Sequence, residues 1–106
     1  MNWTKDELIA YILLYAANSD YQESNVERNA IIDKVDMQTF SDIHKEFDAD
    51  NDYQSLQKIK QGIEAHQYSK DDLDNLFNDI KLLFYADGEF DQLEKNMMLY
   101  LKRILA

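Results

Sequence analysis

The chain contains no cysteine and no proline, and only two glycines, Gly62 and Gly88. Without cysteine there are no disulfides, no thiolate metal ligands and no sulfur nucleophile, which fits a reducing compartment. Without proline, and with so little glycine, few residues interrupt a helix. Positive charge is also scarce: 11 Lys and Arg stand against 21 Asp and Glu, a net charge of −10. Phosphate backbones are bound by clustered Lys and Arg, so nucleic acid and anionic membrane are poor partners for such a chain. A metal cation or a protein partner with a basic face is a better one. Long apolar runs are missing too. The longest, Leu8 to Ala17, spans ten positions, against ~20 for a membrane-crossing helix. Lys5 is followed at once by Asp6 and Glu7, so no basic segment of a signal peptide precedes that run. The expectation is a cytoplasmic protein that does not span a membrane.

What is present is helical patterning over most of 106 residues, the length of one domain, with hydrophobic residues at 45% and aromatic residues at 12% to build its core. Strand-like alternation is absent, and capping signals divide the chain. Thr4-Lys5-Asp6-Glu7 and Ser24-Asn25-Val26-Glu27 are capping boxes; Ser69-Lys70-Asp71-Asp72 and Asp91-Gln92-Leu93-Glu94 open helices in the same way. Trp3 with Leu8, and Tyr68 with Leu73, stand where hydrophobic staples belong. Leu73, Leu76, Phe77, Ile80, Leu83 and Phe84 form one helical stripe, and Leu93, Met97, Tyr100, Leu101 and Ile104 another. Met37, Phe40, Ile43, His44 and Phe47 predict a third helix, and Tyr53, Leu56, Ile59, Lys60 and Ile63 a fourth, joined by the polar turn Asp48 to Asp52. The first helix is apolar nearly all round, which predicts a central, buried element. The fold class read from these signals is all-α, with six helices.

An internal repeat runs through the pattern. Asp20 and Asp87 are 67 positions apart, and the same offset pairs Ile9 with Leu76, Leu13 with Ile80, Ala16 with Leu83, Glu27 with Glu94, Arg28 with Lys95 and Ile31 with Met98. Two helix–turn–helix halves, at about 3–35 and 69–105, are expected to pack as pseudo-symmetric hairpins with the third and fourth helices as the crossover.

Each hairpin turn carries oxygen donors: Ser19-Asp20-Tyr21-Gln22-Glu23-Ser24-Asn25-Val26-Glu27 in the first, Ala86-Asp87-Gly88-Glu89-Phe90-Asp91-Gln92-Leu93-Glu94 in the second. An Ala-Asp-Gly-x-hydrophobic-(Asp or Ser)-x-x-Glu turn between apolar helices, present twice, resembles the TerB-like family of tellurite-resistance proteins. The resemblance covers about Trp3 to Leu105. The second turn follows the pattern closely; the first departs from it at Tyr21, where glycine is usual, and at Glu23, where an apolar residue is usual. The resemblance implies an all-helical fold with two pseudo-symmetric halves and an acidic surface that binds divalent metal. It further implies a role in bacterial stress or tellurite-resistance systems, often beside membrane-associated partners. Residue by residue it reaches Asp87 and Glu94, and Asp20 and Glu27 through the repeat.

The residues themselves leave two roles open. Ca²⁺, Mg²⁺ or Mn²⁺ would take carboxylate oxygens, and Asp20, Glu27, Asp87 and Glu94 could supply them, with Glu89 and Asp91 at the rim. Alternatively Glu27 and Glu94 only cap their helices, since each stands third after the N-cap; acid at a helix start is also favoured by the dipole. Gly88 is expected to supply a positive φ in its turn. No cofactor is required on either reading. Asp48, Asp50 and Asp52 begin like a Ca²⁺ loop, but Tyr53 replaces its glycine and Ile59 its closing glutamate. His44 and His66 fall in separate helices with no ligand spacing. No nucleophile elbow, phosphate-cradling loop or zinc-protease motif occurs. The expectation is a non-enzymatic binding or adaptor module; the alternative is an interaction domain that docks a basic partner through its acidic face without metal.

Overall fold

The computed structural model describes residues 3–18, 24–86 and 92–105. Six helices follow in order: α1 (Lys5–Ala17), α2 (Asn25–Lys34), α3 (Met37–Ala49), α4 (Asp52–Ala65), α5 (Lys70–Tyr85) and α6 (Gln92–Leu105). No strand occurs among the described residues. The starts of α1, α2 and α5 are set by the capping boxes at Thr4, Ser24 and Ser69, each with both reciprocal hydrogen bonds. α4 opens on a fourth box, in which the Asn51 side chain accepts from the Gln54 amide at 2.8 Å and the Gln54 side chain accepts from the Asn51 amide at 2.9 Å. Asp36 caps α3 by accepting from the Thr39 amide at 2.7 Å. Asp91 lies outside the described residues.

α1 is the centre of the molecule. Nine of its thirteen residues are buried, on every side of the helix, and it packs against all five others. α5 is amphipathic and buries Leu76, Phe77, Ile80, Leu83 and Phe84, with Leu73 packed at the edge of the same core. The seams of α4 and α6 differ from the expected stripes. α4 meets α1 along Ser55, Ile59 and Gly62, while Tyr53 points away and is 71% exposed. A Cβ built at Gly62 would overlap the buried Leu8 side chain, so the glycine permits the close approach of the two helices. On α6 the buried residues are Glu94, Met98, Leu101 and Leu105, whereas Leu93 and Tyr100 are exposed. Met37 likewise stands on the surface of α3.

The end of α4 is held by a Schellman motif, in which Tyr68 N–H donates to Ile63 C=O at 3.2 Å and Gln67 N–H to Glu64 C=O at 3.0 Å. Gln67 takes the left-handed position with φ 52°, where glycine is usual.

Helix contacts and burial both bear on the repeat. α1 packs on α2 as α5 packs on α6; α1 also touches α6, α5 touches α2, and α1 and α5 touch each other. This set is unchanged when α1 is exchanged with α5 and α2 with α6. Burial follows the offset at most of the described pairs: Leu13 and Ile80, Ala16 and Leu83, Glu27 and Glu94, and Ile31 and Met98 are buried in both members and Arg28 and Lys95 exposed in both, while Ile9 is half-buried where Leu76 is buried.

Candidate functional site

Of the four carboxylates drawn from the acidic turns, the structure describes two. Asp20 and Asp87, with Gly88, Glu89 and Asp91, lie outside the described residues. Glu27 and Glu94 lie in the first turns of α2 and α6, and they are the only buried acidic residues described, at 3% and 7% exposure. Glu27 does cap its helix: the Ser24 amide donates to Glu27 Oε1 at 3.1 Å, and the Glu27 amide donates to Ser24 Oγ at 3.0 Å. Capping does not by itself require burial. Glu7, Gln54 and Asp72 occupy the same third position in their boxes, yet Glu7 and Asp72 are half-buried and Gln54 is exposed. A buried carboxylate is costly unless it is paired or hydrogen-bonded. The donors fit a hard cation in kind. In number they fall short, since no group of three or more His, Cys, Asp or Glu placed to hold a metal occurs among the described residues.

A second polar constellation, which the sequence reading passed over, ties the α3–α4 turn to α1. The Tyr11 hydroxyl donates to Asp50 Oδ2 at 2.7 Å and lies 3.0 Å from Ser55 Oγ. With its one proton committed to Asp50, the phenol oxygen accepts from Ser55. One turn on, the Tyr15 hydroxyl donates to Asp52 Oδ1 at 2.8 Å. Lys58 Nζ sits 2.8 Å from Asp50 Oδ2 and 3.0 Å from Glu46 Oε2, and Trp3 Nε1 donates to Glu46 Oε1 at 3.3 Å. Asp50 and Asp52 thus anchor a turn that the spacing alone describes as a polar link.

The protonation of this cluster follows from its contacts. Burial pushes both tyrosine hydroxyls up, and donation to Asp50 and Asp52 pushes them further, so both are held protonated. Burial also pushes the Asp50 carboxyl up, but the hydrogen bonds from Lys58 and Tyr11 and the Lys58 charge outweigh it, and the net direction is down. For Lys58 burial acts downward, and the bonds to Asp50 and Glu46 more than reverse it. Tyr11, Tyr15, Asp50 and Lys58 are therefore held in their ordinary charge states, the opposite of a general acid or base poised near neutrality. The cluster borders a cleft of about 320 Å³ lined by Tyr15, Asn18, Phe47, Asp50, Asp52 and Met97, among others. Its evident work is to hold α3 and α4 on the central helix.

The histidines stay apart. His44 Nδ1 lies 3.0 Å from Asp48 Oδ2 on its own helix, and His66 Nε2 lies 2.9 Å from the Trp3 carbonyl, pinning the first turn to the end of α4. No described helix is long and apolar enough to cross a membrane. No family model, curated protein or solved structure matches the chain.

Proposed function

We propose that the chain is a non-enzymatic binding or adaptor module of TerB-like type, associated with stress or tellurite resistance, whose two acidic turns hold a divalent cation. The observation that carries this reading is the paired burial of Glu27 and Glu94 at positions 67 apart, which helix capping alone does not demand. Each is followed in the helix by an exposed cation, Arg28 or Lys95, and preceded in sequence by a turn aspartate, Asp20 or Asp87. Ca²⁺, Mg²⁺ and Mn²⁺ all take such carboxylate oxygens. One observation favours a second reading, a metal-free domain that docks a basic partner through its acidic surface: Glu27 Oε1 already has a partner in the Ser24 amide.

Melting with and without cation separates the two. A ligand that prefers the folded state stabilises it by ~2.7 kcal/mol at a hundred times its dissociation constant. Glu27→Gln keeps an oxygen for the Ser24 amide but removes the charge. On the metal reading it leaves the cation-free melting temperature nearly unchanged and cancels the rise produced by millimolar Ca²⁺, Mg²⁺ or Mn²⁺. Glu27→Ala costs ~0.5–2 kcal/mol even without cation, the usual loss of a helix cap. A rise that survives Glu27→Gln makes Glu27 a cap alone, and a wild-type protein that ignores all three cations leaves the second reading standing.

A further inference from the structure

The cleft of about 320 Å³ beside the tyrosine cluster opens where the ends of α1 and α3 meet the start of α4 and the side of α6. Its walls are largely apolar. Tyr15 is buried, and Phe47 and Met97 are half-buried at the edge of the core. The Phe47 ring stands edge-on to Tyr11, with centroids 5.5 Å apart. The apolar surface continues beyond the rim on α6. Leu93, Met97 and Tyr100 share one face of that helix at i, i+4 and i+7, and Leu93 and Tyr100 are 52% and 41% exposed. The stripe that the core leaves aside thus forms a rail leading out of the cleft.

The polar side of the cleft carries excess negative charge. Glu46, Asp50 and Asp52 share one ammonium, Lys58, which is committed to Asp50 at 2.8 Å and Glu46 at 3.0 Å. Every Lys, Arg and His of the chain falls within the described residues, and among these none forms an ion pair with Asp52. The partner of Asp52 Oδ1 is the Tyr15 hydroxyl at 2.8 Å, a neutral donor that positions the carboxylate without cancelling its charge. Helix ends add to the field. Asn18 and Asp50, both in the lining, are the C-caps of α1 and α3, whose last turns hold no basic residue, so the negative ends of two helix dipoles open on the cleft. The positive end of α4 is already answered by its Asn51 cap.

We propose that this cleft takes an arginine side chain of a partner protein, its guanidinium paired with Asp52 and its apolar neighbours laid on the Leu93–Met97–Tyr100 rail. Charge complementarity selects a cation. A metal ion fits poorly, since no group of three or more His, Cys, Asp or Glu placed to hold one occurs among the described residues. The aromatic and thioether walls select the planar, weakly hydrated guanidinium over a compact ammonium, and its methylene stem packs against Met97. The rail selects an arginine carried by a polypeptide over a free one. This site goes beyond both readings of the acidic surface above and holds whether or not the acidic turns take a cation.

The test titrates ¹⁵N-labelled full chain, with its methionine methyls also labelled, with a short blocked peptide holding one arginine between leucines. Matched peptides carry lysine or the neutral isostere citrulline in place of the arginine. The expected result is saturable shifts at Asn18, Phe47, Asp52 and the Met97 methyl with the arginine peptide, weaker binding with lysine, and none with citrulline. Asp52→Asn keeps an oxygen for the Tyr15 hydroxyl but removes the charge, and it weakens binding about tenfold, the scale of one hydrogen bond to a charged group. Asp74→Asn removes the same charge from an exposed site on α5 and changes affinity less than about twofold, because solvent screens distant charges. If Asp52→Asn melts early, the citrulline comparison on the wild-type protein carries the test. Absence of binding, equal binding of the citrulline peptide, or equal effects of Asp52→Asn and Asp74→Asn overturns the proposal. Shifts spread over the acidic surface also overturn it, by making the attraction diffuse, and so does equally tight binding of free arginine or spermidine, which makes the occupant a small cation. Repeating the titration with millimolar Mg²⁺ keeps the two sites apart: a cation held in the acidic turns leaves peptide affinity at the cleft in place.

Discussion

At Tyr11 and Tyr15 a core aromatic and a polar anchor are the same side chain. The rings are buried in α1 while the hydroxyls reach Asp50 and Asp52, so each residue contributes apolar burial and a charge-assisted hydrogen bond. Because burial and these acceptors push the phenols up, the unfolded chain ionises first as the solution becomes alkaline. Their contribution to stability is full below the ordinary tyrosine value of ~10 and falls as pH rises through and beyond it. Urea unfolding at stepped alkaline pH should show this decline, and Tyr15→Phe or Tyr11→Phe should flatten it while costing ~1 kcal/mol at neutral pH. A decline equally steep in both variants would place its origin elsewhere. At the acid end the sign reverses: Asp50 is held low, so its contribution is present above the ordinary carboxylate range and is lost as pH falls through its folded-state value.

Elements were legible in the sequence where apolar bulk and burial coincide. α1 and α5 match their stripes, and the boxes at Thr4, Ser24 and Ser69 mark the helix starts. α4 was not legible in this way, because its buried seam includes Ser55 and Gly62, small residues that carry no hydrophobic signal but let backbones approach. The exposure of Tyr53, Leu93 and Tyr100 has the same lesson: a stripe drawn through the largest apolar residues can sit beside the true interface. α6 adds a carboxylate, Glu94, to its buried seam, which a periodicity count assigns to the polar face. The Tyr11–Asp50 contact joins residues 39 apart, and only tertiary packing reveals it. Gly62→Ala tests the α1–α4 seam. The gain in helix propensity, at most about 1 kcal/mol, is outweighed by overpacking against fully buried Leu8, typically ~1–3 kcal/mol. Thermal melts should therefore show net destabilisation, and a stabilised variant would mean that Leu8 repacks freely.

At the scale of the whole molecule, six helices share one core around α1; exchanging α1 with α5 and α2 with α6 preserves the contacts among those four helices but not those with α3 and α4, which pack on α1 rather than on α5. The 67-residue offset predicts that a crystal structure superimposes the two halves with Asp20 on Asp87 and Glu27 on Glu94; non-equivalent positions would refute the duplication. The acidic turns would then fall at matching ends of the two hairpins, where one site, or two equivalent ones, could take a cation. Mn²⁺ locates such a site directly, because a bound paramagnetic ion broadens the resonances of nearby amides. With substoichiometric Mn²⁺ in ¹⁵N-labelled protein, signals around Glu27 and Glu94, among them Asn25, Val26, Leu93 and Lys95, should be lost early and selectively. Excess Mg²⁺ or Ca²⁺ should restore them, and Asp20→Asn with Asp87→Asn should abolish the effect. Broadening spread evenly over the acidic surface, or confined to Asp50 and Asp52, would contradict the metal-binding claim.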